Sequence, residues 1–257
     1  MNGILSSFAQ SLPYYLLGLP VILISLSFHE MSHAYAAYKL GDTTARNFGR
    51  ITMNPLKHID PIGFICMILF HFGWAKPVPV NARNFEKPRR DMALTALAGP
   101  VSNLILALIF TILLRLAMFL FPTLFGESIY SDLIGYLFYS TGFEVPPAVT
   151  AASLLIYMLY LGVAINVSLA VFNLIPINPL DGSRILYVFL PAKWYFGIMK
   201  YEKYIYIVFM IVVALGFISG PLGYLTDLIV DKGLFNISFM PQAELNTLLY
   251  YVGNGLR

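Results

Sequence analysis

The chain has 257 residues, 58% hydrophobic and 11% charged, with a mean hydropathy of +0.74. A soluble core of this size does not need so much apolar surface, and runs of roughly 20 apolar residues cross a bilayer, so composition points to an all-α polytopic membrane protein. The single cysteine, Cys66, excludes an intrachain disulfide framework and a cysteine-rich zinc site; a net charge of +3 says little until its distribution is read.

In chain order, the first long apolar segment is 12–40. Ser11 and Pro13 suit a helix start and Gly41-Asp42 its end. No Lys or Arg precedes Lys39 and no small-residue cleavage site follows a short apolar core, so this helix is expected to be retained rather than cleaved as a signal peptide. Residues 41–62 read as loop. Residues 63–74, GFICMILFHFGW, are apolar but too short to span, which fits a re-entrant or interfacial segment. Residues 75–90 are polar and proline-rich. Further spans are expected at about 93–121, 149–175 and 204–222, making four in a single integral membrane domain, 1–257. In the tail 223–257, PQAELNTLLYYV fits a short interfacial helix.

Between Lys39 and Asp91 there are nine Lys/Arg against four Asp/Glu, whereas 122–148 holds Glu127, Asp132, Glu144 and no basic residue. Arg184, Lys193, Lys200 and Lys203 follow the third span. The positive-inside rule therefore puts 41–92 and 181–203 in the cytoplasm and the N-terminus outside a plasma membrane.

Ionisable groups inside a span are expensive, and the first span carries three in SFHEMSHA, residues 27–34. His29 and His33 are four apart and share one helical face, where they can bind one metal ion together. Glu30 stands beside them. This is HExxH: two zinc ligands and a general base. Ser25, His29, Ser32, His33 and Ala36 form a polar, small stripe that should face the protein interior. With Lys39 at the cytoplasmic end, a rise of 1.5 Å per residue puts His29 roughly 15 Å inside.

Zinc in a catalytic site takes a third protein ligand and keeps one position open. His58, His71 and Cys66 are candidates, but Asp181 fits best. It follows the third span in NLIPINPLDG (173–182) and reaches the same side as His29. Pro176 and Pro179 should break the helix there, which is tolerable only in a polar interior. Asn166, Ala170 and Asn173 share one helical face, where the asparagines serve either substrate contact or helix–helix hydrogen bonding.

HEMSHA in the first span, AGPVSN (98–103) in the second and NLIPINPLDG after the third resemble the site-2 protease family of intramembrane zinc metalloproteases. GRITMNPLKHIDP (49–61) and GWAKPVPVNARNF (73–85) resemble its prokaryotic members. The likeness covers about residues 25–190. It implies His29, His33 and Asp181 as Zn2+ ligands, Glu30 as catalytic base, and Asn173 as a residue holding substrate or the oxyanion. Val78, Val80, Asn81, Asn103 and Pro179 are expected to contact substrate. The loop after the second span is too short for the PDZ domain that many members carry there, and no nucleotide-sensing domain is expected; the chain resembles the compact members.

The expected reaction is hydrolysis of peptide bonds within or near transmembrane segments of membrane proteins. A helical substrate must unwind first, and residues 74–81, WAKPVPVN, have the proline-bearing character of an edge strand that could pair with it. Transmembrane substrates and the bilayer are the expected partners, with no nucleic acid. Any regulatory membrane partner is left unnamed by the sequence. The competing readings are a metal or proton transporter, which has no need of a base beside the metal, and a catalytically silent binder of membrane helices, for which intact HExxH and Asp181 have no use.

Overall fold

The computed structural model describes residues 2–70, 73–125 and 147–230. His71, most of the acidic loop at 122–148 and the expected interfacial helix at 241–252 lie outside them. Helix α1 (Asn2–Lys39) carries HExxH. It is followed by the single turn α2 (Thr44–Asn47), a 3-10 turn at Pro55–Lys57 and the short α3 (Pro61–Phe70). A second 3-10 turn, Ala82–Asn84, leads into α4 (Pro88–Phe125), then α5 (Pro147–Leu174), α6 (Asp181–Phe189), α7 (Ala192–Ala214) and α8 (Ser219–Asp227). The described residues are mostly helical; among them there is no strand, only an isolated antiparallel bridge between Ile59 and Ala75.

Among the described residues, three helices are long and apolar enough to cross a membrane, Leu16–Lys39, Pro88–Phe121 and Leu154–Leu174. They match the first three expected spans, although α1 begins ten residues before position 12, with Pro13 inside it. The fourth expected span, 204–222, is split. Its helix starts at Ala192, among Lys193, Lys200, Glu202 and Lys203, and stops at Ala214. Gly216, at φ +77, then turns the chain. Positive φ suits glycine and ends a helix, and the charges dilute the apolar run. Of the segment expected at 63–74, residues 63–70 lie in the ten-residue α3, about 15 Å long and too short to span.

Helix α4 is the centre of the molecule and packs against α1, α5 and α6. In lipid there is no hydrophobic force between helices, so close packing and polar contacts must hold them. The α4–α5 seam does this with Ala107, Leu114 and Phe121 against Ile156, Tyr160 and Val163. A side chain at Gly162 would strike the Phe110 ring, so this glycine sets how near the two helices come. The far side of α4 shows Ile105, Leu108, Ile112 and Leu116 to its surroundings, as a lipid-facing surface should.

Candidate metal centre and active site

The centre is assembled from α1, α4 and the start of α6. His29 and His33 are 5% and 8% exposed, and their Nε2 atoms are 3.0 Å apart. Asp181 Oδ2 lies 3.2 Å from each of them. Pro176 and Pro179 end α5 and the chain crosses over with short turns (Ile177 N to Ile175 O, Leu180 N to Ile177 O), so that Asp181 opens α6. A carboxylate is favoured in the first turn of a helix. Two glycines make the approach possible. A Cβ on Gly99 would overlap the His29 and His33 rings, and one on Gly182 would overlap the Leu174 carbonyl.

The outer nitrogens of both rings are held. His33 Nδ1 is 2.7 Å from the Thr95 carbonyl, which can only accept, so Nδ1 carries the hydrogen. His29 Nδ1 is 2.5 Å from Asn103 Oδ1. Each neutral ring is then left with its Nε2 lone pair pointing inward. Asp181 Oδ2 is buried and makes no hydrogen bond of proper geometry despite its nearness to both rings.

Three inward-facing acceptors within 4.8 Å of one another repel unless a cation lies among them. Zinc bonded at about 2.0–2.2 Å to tetrahedral ligands would set their separations near roughly 3.3 Å, close to the observed 3.0–3.2 Å. The donor set, its spacing and the hydrogen bonds behind both imidazoles therefore fit Zn2+.

Other sequence candidates sit elsewhere. His58 is buried, with Nε2 on the Thr52 carbonyl at 2.8 Å, and Cys66 is half-buried beside an apolar cavity of about 1220 Å³; neither reaches the centre. Asn103 does, through His29. Asn166 bonds within the helix interface, to Ser25 and Asn103. Asn173 is half-buried, and its Nδ2 bonds the Leu169 carbonyl of its own helix at 2.9 Å. Pro179 is exposed. Val78 and Val80 are half-buried and Asn81 is exposed, on a segment that forms neither helix nor strand.

That segment is fastened at both ends, by contacts that the sequence does not announce. Lys76 N–H bonds the His58 carbonyl at 2.7 Å. Buried Arg50 donates to the carbonyls of Lys76 and Pro77. Burial pushes the guanidinium below its ordinary range and the Glu30 carboxylate pushes it back. At the other end, Asp42 accepts from Asn81 N–H and Asn84 Nδ2, both at 2.7 Å, and from Thr44. Val78 and Val80 are left with backbone N–H groups that have no partner among the described residues. Nothing in a lone arginine among nine Lys/Arg, or an aspartate after a helix, marks such clamps in advance; the Thr95 carbonyl carries no sequence signal at all.

Comparison with known proteins agrees with this chemistry. Over 190 residues the chain is 38% identical to a Bacillus subtilis protein bearing the provisional name zinc metalloprotease YwhC, covering 74% of this chain and 76% of that one. Over 91 residues it is 34% identical to a Mycolicibacterium smegmatis protein provisionally named zinc metalloprotease Rip2, covering 34% and 35%. No solved structure matches it significantly. The sequence model of Peptidase family M50 matches residues 17–219, and the chain belongs to that family, the site-2 protease family of intramembrane zinc metalloproteases.

Proposed function

We propose that His29, His33 and Asp181 hold the zinc ion, that Glu30 is the general base, and that the substrates are single-span membrane proteins presented to residues 76–81. The observation that carries this is the convergence of two Nε2 lone pairs and one unpartnered carboxylate oxygen on one buried point. Zinc bound there supplies Lewis acidity to the scissile carbonyl and to the attacking water. Glu30 takes one proton from that water as its oxygen adds to the carbonyl carbon, and returns it to the nitrogen as the C–N bond breaks. Asn173 is assigned to the substrate or its oxyanion. Val78 and Val80 offer N–H groups to an unwound substrate, with Asn81 and Pro179 around it; Asn103, expected there from the sequence, is instead fully buried with its amide committed to His29, Asn166 and Ser25. The nine-to-four basic bias supports a plasma-membrane orientation with 41–92 in the cytoplasm and the N-terminus outside, in one domain spanning the chain.

The test compares purified variants for zinc content and for products from a panel of single-span substrates. His33→Ala and Asp181→Ala are expected to lose zinc and cleavage together. Glu30→Gln should keep zinc while cleavage falls about 10²–10⁴-fold, with uncut substrate recoverable by crosslinking. Normal cleavage by Glu30→Gln refutes the assignment of the base. Histidine-dependent metal flux in proteoliposomes without peptide products would favour a transporter. Orientation is read by single cysteines at Arg46 and Ser131 in a Cys66→Ser background: only position 131 should label from outside.

A further inference from the structure

We propose that Asn166 is a positioning residue for the metal centre: acting through Asn103, it locks His29 in the tautomer whose Nε2 lone pair faces His33 and Asp181. The inference rests on the reading of His29 as a zinc ligand. It begins at two helix carbonyls that cannot change role. Asn166 Nδ2 lies 2.7 Å from the Gly162 carbonyl and 2.8 Å from Ser25 Oγ. Ser25 Oγ in turn donates to the Val21 carbonyl at 2.8 Å. A carbonyl only accepts, so the Asn166 amide must present NH2 on that side and Oδ1 on the other.

Asn166 Oδ1 then meets Asn103 Nδ2 at 2.8 Å, and the second Asn103 hydrogen points toward the Ser25 carbonyl at 3.5 Å. With its NH2 so committed, Asn103 can offer only Oδ1 to His29 Nδ1. The direction of every bond in the relay follows from the Gly162 and Val21 carbonyls, and its last step is a hydrogen on His29 Nδ1.

Both asparagines are 0% exposed, as is Ser25. No solvent competes for these groups, and a flipped amide would set donor against donor. The relay crosses α1, α4 and α5, so helix packing and the tautomer of His29 are one arrangement. Without Asn166, Asn103 is free to turn its NH2 to His29, which would move the hydrogen to Nε2 and occlude the lone pair.

The experiment measures zinc affinity by chelator competition on the full-length protein, with thermal unfolding and the histidine ¹⁵N signature of the tautomer alongside. Asn166→Leu should bind zinc about 10–100-fold more weakly, the loss typical when a partner behind a ligand is removed. Asn166→Ala, which leaves room for a water, serves if the leucine variant does not fold. Asn103→Asp combined with Asn166→Leu should restore affinity, because a carboxylate accepts from His29 Nδ1 without needing to be oriented. Thr111→Val removes another buried hydroxyl of α4, bonded only to the Ala107 carbonyl, and should leave affinity unchanged. Folded Asn166→Leu or Asn166→Ala with wild-type affinity would overturn the relay, as would a double variant as weak as the single one. His29→Ala separates the two levels: retained zinc refutes the ligand reading, whereas lost zinc with an unaffected Asn166 variant refutes only the relay.

Discussion

Around His29 the hydrogen-bond accounts close: both imidazole Nδ1 atoms, both amides of the Asn103–Asn166 pair and the Ser25 hydroxyl have partners, and what remains is one point where three acceptors meet. Along Val78–Val80 they stay open. Pro77 and Pro79 have no N–H, and those of Val78 and Val80 have no partner among the described residues. The first region lies within the membrane spans, where an unpaired polar group costs several kcal/mol. The second lies between them, where water or an incoming chain can serve. A metal centre needs closure so that only the ion completes it. The proposed substrate-pairing segment would need the reverse: open N–H groups on a chain held from behind, as Arg50 holds the Lys76 and Pro77 carbonyls and Asp42 holds Asn81 and Asn84.

The contrast predicts that damage to the two regions separates cleanly in what it does to zinc. Arg50→Met should loosen the Lys76 and Pro77 carbonyls and lower substrate cleavage about tenfold, the low end of what one hydrogen bond to a charged donor is worth, while zinc content stays at the wild-type level. Val78→Pro and Val80→Pro each delete one vacant N–H and should cost roughly 3–10-fold. They should act unequally if only one of them faces the substrate. The readout is product formation per zinc-loaded enzyme. Zinc loss in Arg50→Met would merge the two regions into one structural unit, and wild-type turnover in both proline variants would remove backbone pairing from the mechanism.

How much of this was legible beforehand follows from the same physics. HExxH could be read because lipid penalises three ionisable groups, so their presence demanded a use. Asp181 could be placed because Pro176 and Pro179 stop a helix where only a polar interior tolerates the break. Asn166 was visible as an amide in a span, but its partner was not: helical spacing gives a face, whereas Ser25 and Asn103 come from other helices and only packing brings them there. The fourth expected span shows the limit of averaging hydropathy, since Gly216 breaks a stretch that is apolar enough on paper. Arg50 and Asp42 act on carbonyls and amides about 26 to 42 residues away, and no local pattern announces such contacts.

The smallest expected effect belongs to Asp42, and its sign can be worked out. Burial pushes its carboxyl up, but hydrogen bonds from Thr44, Asn81 and Asn84 outweigh that and hold it below the usual carboxylate range. A group depressed in the folded state stabilises above its unfolded value, about 3.9, and that contribution is lost as pH falls through the lower folded value. The clamp on Asn81 is therefore fully set at neutral pH and opens only in acid. Asp42→Asn can accept two bonds at most where the carboxylate accepts four, so the end of the segment should loosen by about 1 kcal/mol at pH 7, with no change in zinc and only a few-fold loss in cleavage. Hydrogen exchange over residues 78–84, corrected for intrinsic rates, reads this directly. Wild type should lose protection at Asn81 as the pH drops below about 4, whereas Asp42→Asn should show the weaker protection at every pH. An identical acid transition in both proteins would mean that some other group governs the segment, and the clamp would have to be sought away from Asp42.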